Sequence, residues 1–251
     1  MRPVRRGTSP TTQDFADYTQ AKTELISRIG GGWYEGRNLA SYCSYCERKI
    51  DTSLAVEHIE PKDGPHGHPQ LQGCWANFLL ACTNCNSTKG AKQVVFSALY
   101  FPDRDNTFHA FEYLADGNIK PMVSGDQIAS STLRLTGLDK AQRQTRDAKG
   151  RLIAEDRSSQ RMQTWWIAEL ALADYIAKSS SATVKGLIVR NAVTTGFFSV
   201  WMTVFSDVAE MRNRFIDAFS GTRDSGCFDT HTTTAISPAP NPDSLTAGGK
   251  I

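Results

Sequence analysis

Apolar positions in the first half of the chain alternate between helical and strand spacing. The segment TQDFADYTQAKTELISRIG has a threonine cap, helically spaced apolar side chains and a terminal glycine, so it predicts an N-terminal helix. The following GGGWYEGRNLA is rich in glycine and predicts a loop. LAVEHI predicts a strand, and GCWANFLLACTNCNSTKG predicts a second short strand that turns into a cysteine-containing loop. AFEYLADGNIKPMV has two apolar runs around Asp116 and Gly117, which predicts a hairpin.

After about residue 125 the apolar spacing becomes helical. SGDQIASSTLRLTGL and the segment 139–178 predict helices, and 179–221 predicts two more. The pair Trp165 and Trp166 could stack on nucleobases, but its helical spacing with Ile167, Leu170 and Ile176 favours a place in the core. Four further aromatic residues are candidates for core or partner contacts, with core favoured: Phe197, Phe198, Trp201 and Phe205.

These patterns predict an α+β chain with five parts. We expect a flexible N-terminus at 1–11, an N-terminal helix and loop at 12–42, a compact core with its hairpin at 43–125, a helical region and possible partner-docking surface at 126–230, and a disordered tail at 231–251.

Composition and charge exclude few classes of function. The 251 residues suffice for one large domain or two modest ones. The 28 Lys and Arg against 26 Asp and Glu give a net charge of +2, which neither supports nor excludes nucleic-acid binding. A run of about 18 apolar residues, as a membrane helix needs, does not occur. MRPVRRGTSP is basic but lacks the apolar stretch of a secretory signal, so we expect a cytoplasmic protein without membrane contact.

Four of the six cysteines form two CxxC pairs. Cys43 and Cys46 lie in YCSYCERKI, and Cys82 and Cys85 lie in ACTNCNSTKG. In a reducing compartment this pattern predicts a structural zinc site with four thiolate ligands. The long separation between the pairs indicates that a folded segment lies between them. The two remaining cysteines, Cys74 and Cys227, are expected to be ordinary packed or partly exposed thiols.

The segment between the cysteine pairs carries residues that a zinc site alone does not explain. VEHIEPK sets Glu57 beside His58, WAN places Asn77 further along, and CNSTKG places Asn86 directly after the last cysteine. In this order and spacing the stretch 43–90 resembles the HNH endonuclease family, in the variant whose third signature residue is Asn. The resemblance implies a small zinc-stapled ββα-metal core flanked by the N-terminal helix and the mostly helical C-terminal half.

Resemblance to this family also implies roles for individual residues. His58 would be the general base, Asn77 would fasten the loop between the two strands, and Glu57 with Asn86 would hold Mg²⁺ or Mn²⁺. Glu57 and His58 would face opposite sides of a strand, so that one grips the metal while the other faces the water. The family more often has Asp or His where this chain has Glu57, which leaves its ligand set open.

Several other polar residues near the motif have open roles. Lys62 and Lys89 are candidates for substrate phosphate contacts or for ordinary solvated lysines. His66 and His68 could add a metal or substrate contact, although exposed loop histidines are the more common case. His109 is expected to be structural.

A wider set of segments is similar to the HNH nuclease subunit of Septu-type anti-phage systems, which works with an ATPase. The segments are YCERKI, EHIEPK, WANFLLACTNCNSTKG, FPDRDNTFHAFEYLADGNIKP and LRLTGLD, followed by a helical half. The resemblance implies a nuclease with an ATPase partner. We expect a nucleic-acid substrate, DNA more than RNA, although the sequence leaves the choice between them open.

Two other interpretations compete with the nuclease. One is a non-catalytic zinc-ribbon module that binds nucleic acid or protein, which EHIEPK between the knuckles disfavours. The other is a regulatory subunit whose nuclease is latent without its partner.

Overall fold

A computed structural model describes residues 1–140, 145–146, 148–150, 152–153 and 156–251. Helices and small sheets are mixed, with a helical C-terminal half, which confirms the predicted α+β class. The helix predicted within 139–178 begins at Arg157, and the part of that prediction at 141–144, 147, 151 and 154–155 lies outside the described residues.

The strands pair into four two-stranded antiparallel sheets within the described part of the chain. The second of these pairs, β3 with β4, confirms the strand predicted in LAVEHI and the one predicted before the second cysteine pair. The third, β5 with β6, confirms the hairpin predicted around Asp116 and Gly117. The strands are β1 (Gly31–Tyr34), β2 (Arg37–Ser41), β3 (Ala55–His58), β4 (Phe78–Ala81), β5 (Phe111–Tyr113), β6 (Ile119–Pro121), β7 (Thr145–Arg146) and β8 (Leu152–Ile153).

The helices are short in the first half of the chain and longer in the second. They are α1 (Lys22–Leu25), α2 (Thr83–Lys89), α3 (Thr107–Ala110), α4 (Gln127–Thr136), α5 (Arg157–Ala177), α6 (Ala182–Thr195), α7 (Phe198–Val204) and α8 (Ala209–Ala218). The predicted N-terminal helix is present as one 3₁₀ turn at Tyr18–Ala21, then α1, then a π-helical turn at Ile26–Gly30. No helix in these described ranges is long and apolar enough to span a bilayer.

Two buried clusters fill the interior. One surrounds the β3–β4 sheet and includes Phe78, Leu80 and the four CxxC cysteines. The other lies among α6, α7 and α8, where Trp201, Phe205 and Phe215 pack ring against ring. The four aromatic residues at 197–205 that were candidates for core or partner contacts are 0–2% exposed, so they belong to the core.

Between the clusters, the first cysteine knuckle packs against the junction of α6 and α7. Glu47 accepts hydrogen bonds from the backbone N and the hydroxyl of Ser199, at 2.8 and 2.6 Å. Gly196 has a φ of 76°, and a Cβ there would lie 2.9 Å from the carbonyl oxygen of Glu47. The close backbone approach at this junction therefore requires glycine.

The glycine-rich segment expected to be a loop is instead the β1–β2 hairpin. Its turn falls at Glu35 and Gly36, both of which have positive φ. Gly31 and Gly32 lie in β1. A Cβ at Gly32 would meet the hydroxyl of Tyr42, so this position has no room for a side chain. Glycine at these positions marks close approach, not flexibility.

The N-terminus, expected to be flexible, is largely buried between the two clusters. Arg2 donates to the carbonyl oxygens of Ser220 and Ile29, both at 2.5 Å. Arg6 donates to the carbonyl oxygen of Phe78 at 2.5 Å and forms an ion pair with Asp103. Arginine hydrogen bonds thus connect residues 2–6 of this segment to both sides of the interior, while residues 8–11 are exposed.

The tail, expected to be disordered, lies against the segment 103–106. Lys250 pairs with Asp105 at 2.9 Å, and the Ile251 carbonyl oxygen accepts from the backbone N of Asn106. Ala239 is buried. Because these contacts involve backbone groups and two single charges, the tail's composition gave no sign of them.

The apolar face predicted for α5 is only partly in the core. Trp165 is half-buried, whereas four other apolar side chains of this helix are exposed: Trp166 (47%), Ile167 (37%), Leu170 (70%) and Ile176 (71%). The expectation of a core position for the tryptophan pair was therefore wrong for Trp166, because the buried face of α5 consists mainly of small and polar residues such as Ala168 and Ala171.

Candidate active site and zinc centre

The two CxxC pairs converge in the interior. All four cysteines are at most 2% exposed, and their sulfur atoms lie within 4.8 Å of one another. The Sγ atoms of Cys46 and Cys82 are 3.8 Å apart. A tetrahedral zinc ion with bonds of about 2.3 Å would set its sulfur ligands about 3.8 Å apart, so the cluster has the dimensions of a zinc site.

Charge also favours a cation within this cluster. Four thiolates in a buried cluster need a compensating positive charge, because an unpaired charge is costly in the interior. Part of that charge comes from α5, because Arg157 donates from Nη1 to the sulfur of Cys85 at 2.9 Å. With four sulfur ligands a zinc ion has no open position, so it would hold the two knuckles together without taking part in a reaction.

Strand β3 places Glu57 and His58 beside each other in a largely buried setting. Glu57 pairs in register with Leu79 and His58 with Phe78 on β4. Glu57 is 2% exposed and His58 is 8% exposed. Successive side chains of a strand point to opposite faces, so Glu57 and His58 face different surroundings.

The His58 ring is fixed by one hydrogen bond and two aromatic contacts. Its Nε2 lies 2.9 Å from the carbonyl oxygen of Gln72, and since a carbonyl only accepts, Nε2 carries the proton. The rings of Tyr18 and Phe78 contact the imidazole edge to face, with centroids at 4.7 and 5.3 Å. In the neutral ring Nδ1 therefore holds the free lone pair.

The surroundings of His58 favour the neutral imidazole. Burial lowers the pKa of His58 below its ordinary value of 6.5, and the charge of Lys62 lowers it further, while the bond to Gln72 acts in the opposite direction. At neutral pH the ring is therefore unprotonated, as a group that accepts a proton must be.

Glu57 makes a buried ion pair. Its Oε1 lies 3.0 Å from Nζ of Lys89 and accepts a long hydrogen bond from the hydroxyl of Tyr45 at 3.4 Å. Lys89 also donates to the carbonyl oxygen of His58 at 2.8 Å. Burial raises the pKa of Glu57, while Lys89 acts to lower it. Lys89, a candidate phosphate contact on sequence grounds, is 2% exposed and directed at the strand.

Asn77 joins the loop after β3 to the turn before β4. Its Oδ1 accepts from the backbone N of Glu60 at 2.8 Å, and its Nδ2 donates to the carbonyl oxygen of Glu60 at 2.9 Å. A longer contact at 3.5 Å reaches the carbonyl oxygen of Leu71, next to the residue that accepts from His58. These are side-chain-to-backbone bonds of the kind expected for a residue that fastens this loop.

The remaining predicted residues lie around this centre. Asn86 is half-buried on α2, one turn before Lys89 and so on the same face of the helix. Lys62 donates to the hydroxyl of Tyr18 at 3.2 Å and lies over its ring. His68 is partly exposed, and its Nε2 lies 3.7 Å from a carboxylate oxygen of Glu60.

The two predicted ligands, the carboxylate of Glu57 and the amide of Asn86, offer the oxygen donors that a hard divalent cation prefers. The ammonium of Lys89 is already in contact with that carboxylate, so an added cation would compete with it. The donor chemistry fits Mg²⁺ or Mn²⁺, and the local charge limits how readily the ion binds.

Comparison with known proteins agrees with this geometry. Residues 27–92 match the HNH endonuclease family. This HNH domain comprises the β1–β2 hairpin, both cysteine knuckles, β3, β4 and α2. A domain of this family is metal-dependent, and the matched segment holds His58, Asn77 and Asn86.

A relative of the chain is described as an HNH endonuclease of retron Vc95 from Vibrio cholerae serotype O1 biovar El Tor. The two sequences are 29% identical over 120 residues, which cover 46% of this chain and 57% of that protein. The chain thus spans little more than half the length of the relative it matches.

Three residues at the HNH centre were not found from the sequence. Tyr18 contacts the His58 ring from the N-terminal helix, Gln72 binds His58 through its backbone carbonyl, and Tyr45 reaches Glu57 from within the first knuckle. The contact of Gln72 uses a backbone carbonyl, so it does not depend on residue type and the sequence gives no sign of it. For Tyr45, the sequence signal was its position between Cys43 and Cys46.

Proposed function

We propose that the protein is a metal-dependent endonuclease that hydrolyses phosphodiester bonds, with His58 as general base. The observation that carries the proposal is the His58 ring, which has its Nε2 proton committed to Gln72 and its Nδ1 lone pair free. The match of residues 27–92 to the HNH family supports the same activity.

In this mechanism the protein supplies a base and its orientation. Nδ1 of His58 takes a proton from the attacking water, and Tyr18, Phe78 and Gln72 keep the ring from turning. Asn77 holds the backbone of Glu60, and through the loop it keeps the Gln72 carbonyl in place. Cleavage would leave a 5′-phosphate and a 3′-hydroxyl, with DNA as the expected substrate.

Glu57 and Asn86 would hold the catalytic Mg²⁺ or Mn²⁺. The ion, when bound, stabilises negative charge on the phosphate and on the leaving oxygen. Lys89 fixes the Glu57 carboxylate in the interior and opposes the rise in its pKa that burial causes.

His58→Ala tests this function directly. Purified wild-type protein with Mg²⁺ or Mn²⁺ should cut plasmid DNA, and the variant should lose at least a hundredfold in rate, since a general base contributes about 10²–10⁴. His231→Ala, at an exposed histidine outside the HNH domain, is the matched control and should cut normally. Undiminished cleavage by the His58 variant would contradict the assignment.

A non-catalytic zinc-containing binding module is the second candidate, because the Glu57 carboxylate is buried and already paired with Lys89. This candidate predicts one tightly bound zinc, no cleavage with any divalent metal, and nucleic-acid or protein binding that is indifferent to His58→Ala. The plasmid assay, together with a gel-shift measurement on the same variant, separates the two functions.

We also propose a role in anti-phage defence together with an ATPase partner, as the resemblance to Septu-type nucleases implies. The name of the retron relative is compatible with such a setting. The exposed apolar side chains of α5 are the candidates for the contact. Co-expression with an ATPase of the Septu type should yield a complex with restored or increased cleavage, and Leu170→Ser should weaken its assembly. A chain that cuts equally well alone and never co-purifies with the ATPase would exclude this partnership.

A further inference from the structure

The N-terminal element that precedes the HNH domain reaches into its centre. The 3₁₀ turn Tyr18–Ala21 lies before residue 27, where the family match begins, and it packs against β3. Asp17 caps this turn by accepting from the backbone N of Thr19 at 2.9 Å. Tyr18, the first residue of the turn, is half-buried beside the strand that carries His58.

The segment before this turn is attached to the loop that binds His58. The backbone N of Phe15 donates to the carbonyl oxygen of Gly73 at 2.9 Å, and Gly73 follows the residue whose carbonyl contacts His58. A Cβ at Gly73 would overlap the carbonyl oxygen of Phe15, so this approach requires glycine. The Phe15 ring also packs near those of Trp75 and Phe78, with centroids at 6.2 and 6.1 Å. Backbone and aromatic contacts thus fix the N-terminal segment against the HNH centre.

Tyr18 contacts two groups at once. Its ring meets the imidazole of His58 edge to face, with centroids 4.7 Å apart. The ammonium of Lys62 lies over the same ring, with Nζ 4.4 Å from the centroid, and donates to the Tyr18 hydroxyl at 3.2 Å. One tyrosine thus sets the position of the ammonium relative to the imidazole.

The positive charge of Lys62 has no partner of opposite sign in direct contact. Lys62 forms no ion pair with any residue that the structure describes, and it is partly exposed. Lys89, the other lysine at this centre, is instead buried and paired with Glu57. A tyrosine hydroxyl and ring face hold an ammonium without cancelling its charge. The Lys62 ammonium is therefore available to an anionic ligand beside His58.

We propose that Tyr18 is a positioning residue of the nuclease, which presents the Lys62 ammonium to the phosphate attacked by the water that His58 activates. This inference rests on the proposed function and adds to it a substrate contact and the element that holds that contact. Lys62 donates to a non-bridging oxygen of the phosphate, where negative charge develops during attack. The hydroxyl of Tyr18 does not touch the substrate and acts only through Lys62. The HNH centre of this chain is then incomplete without residues that precede the matched segment.

A double-mutant cycle on DNA affinity tests the positioning role. Tyr18→Phe keeps the ring and removes the hydroxyl, whereas Lys62→Met removes the charge. The full zinc-loaded chain is titrated with a short fluorescent DNA duplex in the absence of Mg²⁺ and Mn²⁺. Lys62→Met should weaken binding about tenfold and reduce the slope of log affinity against log salt by about one, as the loss of one phosphate contact does. Tyr18→Phe should weaken binding about threefold, as the loss of a modest hydrogen bond does.

The double variant gives the decisive result. Without Lys62 the hydroxyl has nothing to hold, so the double variant should bind DNA as Lys62→Met does. Single-turnover cleavage at saturating DNA with Mg²⁺ repeats the cycle on the rate, and the double variant should again match Lys62→Met. Lys62→Arg keeps the charge and should retain most of the affinity.

Two control variants lie outside the HNH domain. Tyr175→Phe removes a hydroxyl that contacts Glu210, and Lys178→Met removes an exposed ammonium after α5. Neither should change the affinity or the rate. Zinc content and circular dichroism like those of wild type show that each variant is folded.

The outcomes separate this inference from the nuclease function. Independent, multiplying effects of Tyr18→Phe and Lys62→Met, an affinity that neither changes, or no DNA binding by wild type would each overturn the positioning role. Normal cleavage that needs His58 but is indifferent to both variants would contradict only this inference. A chain that shows the expected cycle on affinity yet never cleaves would refute the nuclease and retain the phosphate contact.

Discussion

At the scale of single residues, the protonation of His58 is set by its neighbours. Burial lowers its pKa below 6.5, and the charges of Lys62 and Lys89 act in the same direction, while the Gln72 carbonyl and the charge of Asp63 oppose them. The neutral, proton-accepting form is therefore lost only as the pH falls through a pKa below the ordinary value, and it is fully present above that value.

Lys62→Met should move the acidic limb of the cleavage rate to higher pH, because it removes a positive charge that opposes protonation of His58. The measurement is kcat/KM for plasmid cleavage between pH 5 and 8. Lys120→Met, on the distant β6 strand, should leave the limb in place. A limb that stays fixed in the Lys62 variant would show that another group titrates.

Asn77→Ala removes both bonds to the Glu60 backbone and should destabilise the protein by about 1–3 kcal/mol, because partly buried backbone groups lose their partners. The cleavage rate should fall more than the substrate affinity, since the residue acts through the orientation of His58. Urea unfolding and single-turnover rates measure the two effects. Asn118→Ala, which loses bonds only within an exposed turn, should change neither by much.

At the scale of elements, apolar spacing predicted both the type and the burial of β3 correctly. LAVEHI has the alternation of a strand, and β3 forms there with Val56, Glu57 and His58 all buried. The same reasoning failed for α5, since Trp166 and Leu170 have helical apolar spacing yet remain exposed. Apolar spacing predicts a helix, but a partner surface and a core give the same spacing.

The link between α5 and the second knuckle leads to a prediction about zinc. Arg157→Met removes the hydrogen bond to the Cys85 sulfur and a positive charge near four thiolates. The affinity for zinc should fall about 10–100-fold, as for the loss of other groups that bind metal ligands. Competition with a chromogenic chelator measures it, with Arg214→Met at an exposed ion pair as control. Equal zinc retention in both variants would mean that Arg157 serves only to hold the end of α4.

At the scale of the whole molecule, the HNH domain and the helical half share a boundary that composition did not reveal. Arg2 and Arg6 of the N-terminal segment bind carbonyls on both sides, and Glu47 joins the first knuckle to Ser199 of α7. The partners of Arg2 and Arg6 lie far along the chain, so the sequence of this short charged segment gives no sign of them.

This shared boundary predicts a single unfolding transition. Zinc release, detected with a dye, and loss of helical circular dichroism should occur at the same urea concentration, because neither buried cluster keeps its boundary without the other. Glu47→Ala should lower both midpoints together. Helical signal lost well before zinc release would mean that the two parts unfold independently.

The buried pair of Glu57 and Lys89 has a consequence for the order in which ligands arrive. One carboxylate and one ammonium already cancel, so a divalent ion entering alone would leave a surplus of two positive charges in a poorly solvated interior. A phosphodiester brings negative charge of its own and offsets part of that surplus. Metal and nucleic acid should therefore bind with positive linkage, each tightening the other, and the resting protein should hold little of the divalent ion.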